Sequence, residues 1–167
     1  MMQSIKRILL LAGFVFFIVA GFNCKSENKK VYAITGRVVS IADGDTFTLL
    51  TNEKKQVKIR LYGIDCPERK QPFGTAAKQK LSELVFDKQV QVKKMDIDRY
   101  GRTVAIVYGE ANSCINEEML KSGFAWHYIQ YDNSAYWQQL EDKARGKKIG
   151  LWAEKDPVPP WQWRRKK

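Results

Sequence analysis

Histidine is nearly missing from this chain: among 167 residues there is one, His127. The general-base and metal-ligand work that imidazole usually does therefore falls to carboxylates, and His127 reads as a surface or packing residue. Cysteine is scarce too, with three residues. Cys66 and Cys114 are far apart and lack the paired spacing of a zinc site, which argues against structural zinc. A disulfide between them would suit an exported protein, but two free thiols are the plainer and preferred reading. There is no internal repeat, no low-complexity tract and no apolar run of the roughly 20 residues that cross a bilayer as a helix.

What is present is positive charge. Twenty-nine Lys and Arg against 18 Asp and Glu give a formal charge of +11. Such an excess attracts polyanions through long-range attraction and counterion release. Nucleic acid leads the candidate partners, with anionic lipid or cell-wall polymer as the alternative. At the N-terminus Lys6 and Arg7 precede the apolar residues 8–22, the charge-then-hydrophobe order of an export signal. Taking residues 1–23 as signal or membrane anchor predicts export, to the medium or tethered through residues 8–24, with Cys24 placed where a lipid-modified cysteine would start a mature chain. Losing Lys6 and Arg7 still leaves +9. A polar linker at 24–30, one domain at 31–153 and a Pro/Trp/basic tail at 154–167 complete the division.

Val, Ile, Thr and Phe enrichment predicts strands over 32–41, 45–50, 56–62, 90–95 and 102–108. In the third of these Val57, Ile59 and Leu61 alternate with Lys58 and Arg60, which puts Arg60 on the polar face. Helical spacing of Ala77, Leu81, Leu84 and Val85 predicts a helix over 75–86, after Pro72 and Gly74. Two more are expected at 114–122, stopped by Gly123, and at 134–148, capped by Asn133 or Ser134 and ended by Gly150. Prolines 157, 159 and 160 favour an extended tail laid on the surface. The expected fold is α+β or mainly β: a five-stranded antiparallel barrel of the oligonucleotide-binding type with about three packed helices, a plain hairpin-plus-helix sheet being the alternative.

Three segments concentrate chemistry. Asp43-Gly44-Asp45-Thr46 joins two strands, Arg60 leads into Gly63-Ile64-Asp65-Cys66-Pro67-Glu68, and Asp98-Arg99-Tyr100-Gly101-Arg102 follows in the second half. Pro67 stiffens its loop and makes Cys66 extended, so Asp65 and Glu68 can converge. Two aspartates plus backbone carbonyls form an oxygen-only site suited to Ca²⁺, Mg²⁺ or Mn²⁺. Two guanidiniums can grip a phosphate bidentately. Taken singly, the first is also an ordinary hairpin turn and the third a charged hairpin turn with Arg102 paired to Asp98.

Together the motifs DGDT, RLYGIDCPE and DRYGR, in that order, strongly resemble the staphylococcal nuclease family over about residues 31–152. The resemblance implies an oligonucleotide-binding barrel with three helices that degrades single- and double-stranded DNA and RNA with Ca²⁺. It implies Asp45, Asp65 and the backbone carbonyl of Cys66 as calcium ligands, Cys66 standing where the best-known member has threonine. Glu68 would orient or deprotonate the attacking water, while Arg60 and Arg102 would bind the phosphate and stabilise the transition state. Asp43 would stand behind the ligands, and Tyr100 and Tyr128 would contact the nucleotide through their aromatic faces. No protein partner is implied, and the chain is expected to act as a monomer. The rival is a non-catalytic nucleic-acid-binding module of the same fold at the cell envelope; against it, all five carriers, Asp45, Asp65, Glu68, Arg60 and Arg102, are present.

Overall fold

Residues 34–166 are described by the structure, a computed structural model; the expected export segment, Cys24 and the expected linker lie outside them. The strands are β1 (Ile34–Ile41), β2 (Thr46–Thr51), β3 (Gln56–Leu61), the two-residue β4 (Ile64–Asp65), β5 (Gln89–Ile97), β6 (Thr103–Tyr108) and the two-residue β7 (Trp126–His127). The helices are α1 (Gly74–Val85), α2 (Ile115–Lys121), α3 (Ala135–Gly146) and a short α4 (Pro160–Trp163). Among the described residues, no helix is long and apolar enough to cross a membrane.

Five strands close into a barrel in the order β1-β2-β3-β6-β5. Four of its five pairings are antiparallel, as expected, but β3 and β6 run parallel, with Ile59, Arg60 and Leu61 opposite Thr103, Val104 and Ala105. Parity requires it: strand direction cannot alternate all the way round a ring with an odd number of members. The connection through α1 carries the chain across so that the β5–β6 hairpin returns beside β3. A register shift in β5 between Lys94 and Asp96 marks a bulge, which bends the strand end.

Alternation of apolar residues fills the interior. Val38, Phe47, Leu49, Ile59, Leu61, Val92, Ala105 and Val107 are essentially inaccessible, and Ala77, Leu81 and Val85 of α1 and Ile115, Met119 and Leu120 of α2 pack with them. Burying a side chain such as Phe47 contributes about 2–3 kcal/mol. Buried Asn116 ties α2 to the barrel: its Oδ1 accepts from Val107 N at 3.0 Å and its Nδ2 donates to the carbonyls of Tyr62 and Ala105 at 2.9 and 3.3 Å. A second cluster gathers Trp126, Ala144, Leu151 and Trp152, with Arg145 4.7 and 4.0 Å from the ring centres of Trp126 and Trp152.

Two further expectations need correction. Helix α3 starts as predicted, with Ser134 Oγ accepting from Trp137 N at 3.3 Å, but ends at Gly146; Gly150, in the left-handed region at φ 61°, instead opens the 3-10 turn Gly150–Ala153. The tail is not wholly extended. Pro159 is, but Pro160 begins the helical turn α4, followed by a 3-10 turn, Arg164–Lys166. Proline at the first helical position loses no hydrogen bond, because that N–H has no partner within the helix.

Candidate active site

A cleft of about 830 Å³ opens at one end of the barrel, lined by the turn before β2, the loop after β3, the β5–β6 hairpin and the C-terminal turn. Its floor follows from strand register. Thr46 pairs with Arg60 across β2 and β3, and Leu61 N donates to Asp45 O at 2.9 Å, which brings Asp45 beside Arg60. Asp65 reaches the same place because β4 pairs with β7, Asp65 opposite Trp126. Arg60 bridges the two carboxylates: Nη1 donates to Asp45 Oδ2 at 2.7 Å and Nη2 to Asp65 Oδ1 at 3.0 Å. Strand alternation thus set the face of Arg60 as expected.

Electrostatics on this floor are tense. Burial, and then the negative charge of Asp45, push the Asp43 carboxyl up to about 7, while its Oδ1 accepts from Asp45 N at 3.2 Å. Burial also holds the Asp65 carboxyl above the usual range, against the pull of Arg164 and Arg60. For Arg60 burial works against the charge, but Asp45 and Asp65 outweigh it and leave the guanidinium more basic than usual. The buried Cys66 thiol is pushed far up by burial and then by Asp45 and Asp65, and its Sγ donates to Gly44 O at 3.2 Å. Cys114, on the entry to α2, is a second free thiol, pushed up to about 11 chiefly by burial.

Among the described residues no three His, Cys, Asp or Glu side chains form a metal cluster by themselves. Asp45 and Asp65 nevertheless present hard oxygens to one guanidinium, with Asp43 behind them and an excess of buried negative charge. That donor set fits a hard divalent cation whose remaining ligands are carbonyls, water and phosphate.

The remaining expected residues line the same cleft. Glu68 stands at its edge, its N–H donating to Gln71 Oε1 at 3.0 Å. Gly74 allows this: a Cβ there would collide with the Glu68 carbonyl oxygen, so only glycine lets α1 start so close to the loop. Arg102 is held by Asp98, with Nε to Oδ2 at 2.7 Å, and its Nη1 donates to Thr46 Oγ1 at 3.3 Å. Tyr100 is 67% exposed, with Arg102 5.4 Å from its ring centre. Tyr128 has one face covered, stacked on Trp161 at 4.9 Å and 6°. His127 is a packing residue, buried with its ring nitrogens 2.9 Å from Asp132 Oδ1 and 3.1 Å from Gln138 Oε1.

Residues 58–154 match the family model described as staphylococcal nuclease homologue. The chain belongs to that family. An uncharacterized endonuclease of Haemophilus influenzae is 43% identical over 160 residues, covering 96% of this chain and 86% of its own. A micrococcal nuclease of Shigella flexneri is 39% identical over 140 residues, 78% of this chain and 80% of its own. A staphylococcal-like nuclease of Arabidopsis thaliana is 40% identical over 148 residues, 86% of this chain but 46% of its own.

Among the cleft residues that sequence reasoning did not assign, Arg164 makes direct bonds to the carboxylates. Its Nη1 donates to Glu68 Oε1 at 2.7 Å and its Nη2 to Asp65 Oδ2 at 2.8 Å, and these bonds outweigh burial to make the guanidinium more basic than usual. The signal available was the stretch Pro159 to Arg164, which resembles the ends of many bacterial relatives but whose proline pair allows a helical turn as readily as an extended strap.

Proposed function

We propose that this chain is a calcium-dependent phosphodiesterase that hydrolyses single- and double-stranded DNA and RNA. The observation that carries the reading is the convergence, in one cleft, of Asp45, Asp65 and Glu68 with the guanidiniums of Arg60 and Arg102. Asp45, Asp65 and the backbone carbonyl of Cys66 would hold the cation. When bound, it supplies positive charge beside the phosphate as negative charge builds there.

Glu68 orients the attacking water and takes its proton. The water oxygen forms a bond to phosphorus as the P–O bond on the opposite side breaks. Arg60 and Arg102 would bind the phosphate oxygens and stabilise the five-coordinate transition state, and Arg102 would assist the leaving oxygen, which takes up a proton from solvent as it departs. Tyr100 offers an exposed ring to a base of any sequence. The names of the relatives, endonuclease and micrococcal nuclease, support the same reading.

Release of acid-soluble nucleotides from denatured DNA, with Ca²⁺ or with EDTA, tests it. Glu68→Ser and Arg102→Gly should each lose about 10²-fold or more in rate, the scale for removing a positioned charge from a reacting centre. Activity indifferent to EDTA, or variants as fast as the wild type, would sink the mechanism. Residues 1–23 are read as directing export, as a cleaved signal, a segment ending at a lipidated Cys24, or a membrane tether. Mass spectrometry of the N-terminus in each cell fraction tests it: protein with an intact Met1 confined to the cytoplasmic fraction would refute export.

A further inference from the structure

We infer that Arg164 is an internal counter-ion of the cleft, which a divalent cation must displace from Asp65 before it can bind. The inference rests on the cation reading above and concerns a part of the chain outside the family-matched segment 58–154. Both oxygens of Asp65 are taken by arginine: Arg164 Nη1 lies 3.3 Å from Oδ1 and Nη2 2.8 Å from Oδ2, while Arg60 Nη2 holds Oδ1 at 3.0 Å. The same Arg164 guanidinium holds Glu68 Oε1 at 2.7 Å. A cation using Asp65 meets a positive charge already in place.

The contact is built. Gln71 Nε2 donates to Val158 O at 2.6 Å while Gln71 Oε1 accepts from Glu68 N at 3.0 Å, so one buried amide joins the tail to the loop that carries Glu68. Pro160 is buried, and Trp161 packs edge-on against Trp126 at 5.7 Å and flat against Tyr128 at 4.9 Å. These contacts bring Arg164 from the rim onto Asp65, 99 residues earlier in the chain. Its side chain is 43% exposed, so it can swing into solvent without breaking the anchor, whereas Arg60, at 17%, cannot. With Asp45, Asp65 and Glu68 ionised, Arg60 and Arg164 leave one negative charge; without Arg164 there are two.

Calorimetric titration of the purified protein with Ca²⁺, without nucleic acid, tests this. Arg164→Gln should bind Ca²⁺ about tenfold or more tightly, the scale on which one neighbouring charge moves an ionic equilibrium. The gain should shrink as monovalent salt rises. Arg165→Gln, which removes the same charge one residue on, should change the affinity less than twofold. Equal affinities for wild type and Arg164→Gln, or an equal gain from Arg165→Gln, would overturn the inference and leave the calcium reading standing. Ca²⁺ binding by Arg164→Gln alone would support it strongly. Binding by neither protein would overturn both.

Discussion

On the floor of the cleft the side chains of Asp65, Asp45 and Arg60 are 1%, 7% and 17% exposed, whereas Glu68 and Arg164 on the rim are 36% and 43% exposed. The floor is fixed by strand pairing: Thr46 opposite Arg60, and Asp65 opposite Trp126. The rim is held by a hairpin turn on one side and by aromatic stacking and a buried glutamine on the other. Charge on the floor can be moved only with the barrel. Charge on the rim can rearrange at small cost, so the rim is where the cleft can adapt to what enters it.

The sharpest way to break this contrast is at Arg60. Arg60→Met strands two buried carboxylates against each other and should cost about 3 kcal/mol, read from urea unfolding. A variant as stable as the wild type would mean that charge does not hold the floor. Next, Gly74→Ala drives a Cβ into the Glu68 carbonyl and should cost on the order of 2 kcal/mol. Gly146→Ala at the end of α3, where nothing lies within 4 Å of the added carbon, should instead gain about 0.5–1 kcal/mol. Matching effects at the two glycines would show that close approach at the loop is unimportant.

Smaller effects are expected on the rim. Trp161→Ala should lose about 1 kcal/mol of global stability, yet make the tail after Asp156 more open to proteolysis, which limited digestion followed by mass spectrometry would show. Undiminished protection would mean the stack does not anchor the tail. The smallest effect belongs to Asp98. Its partial burial disfavours charge, but hydrogen bonds from the Arg102 and Tyr100 backbone and the Arg102 side chain prevail and hold the carboxyl below the usual range. A depressed carboxyl stabilises the fold above its unfolded pKa and loses that contribution as pH falls through its folded pKa. Asp98→Asn should therefore cost at most about 0.5 kcal/mol near pH 7 after solvent screening, and nothing in strong acid. An equal penalty in acid would assign the effect to geometry instead of charge.

Much of this was legible without coordinates. Period-2 alternation in β3 set the face of Arg60, helical spacing located α1, and Gly123 ends its helix at φ 69°, as a residue in the left-handed region should. These are local properties, carried by residues within a turn or two of each other. Membership of the staphylococcal nuclease family was legible too, because three motifs in order are themselves a property of the chain. The parallel β3–β6 closure was implicit in an odd strand count, but only the closed ring makes the parity binding. The place of Arg164 in the cleft could not be read that way. Its bond to Asp65 spans 99 residues and depends on where a proline-led turn lands after the whole barrel has formed. The sequence alone determined which groups could perform chemistry in this protein; tertiary packing decided which of them meet, since contact across such a separation leaves no period for a reader to find.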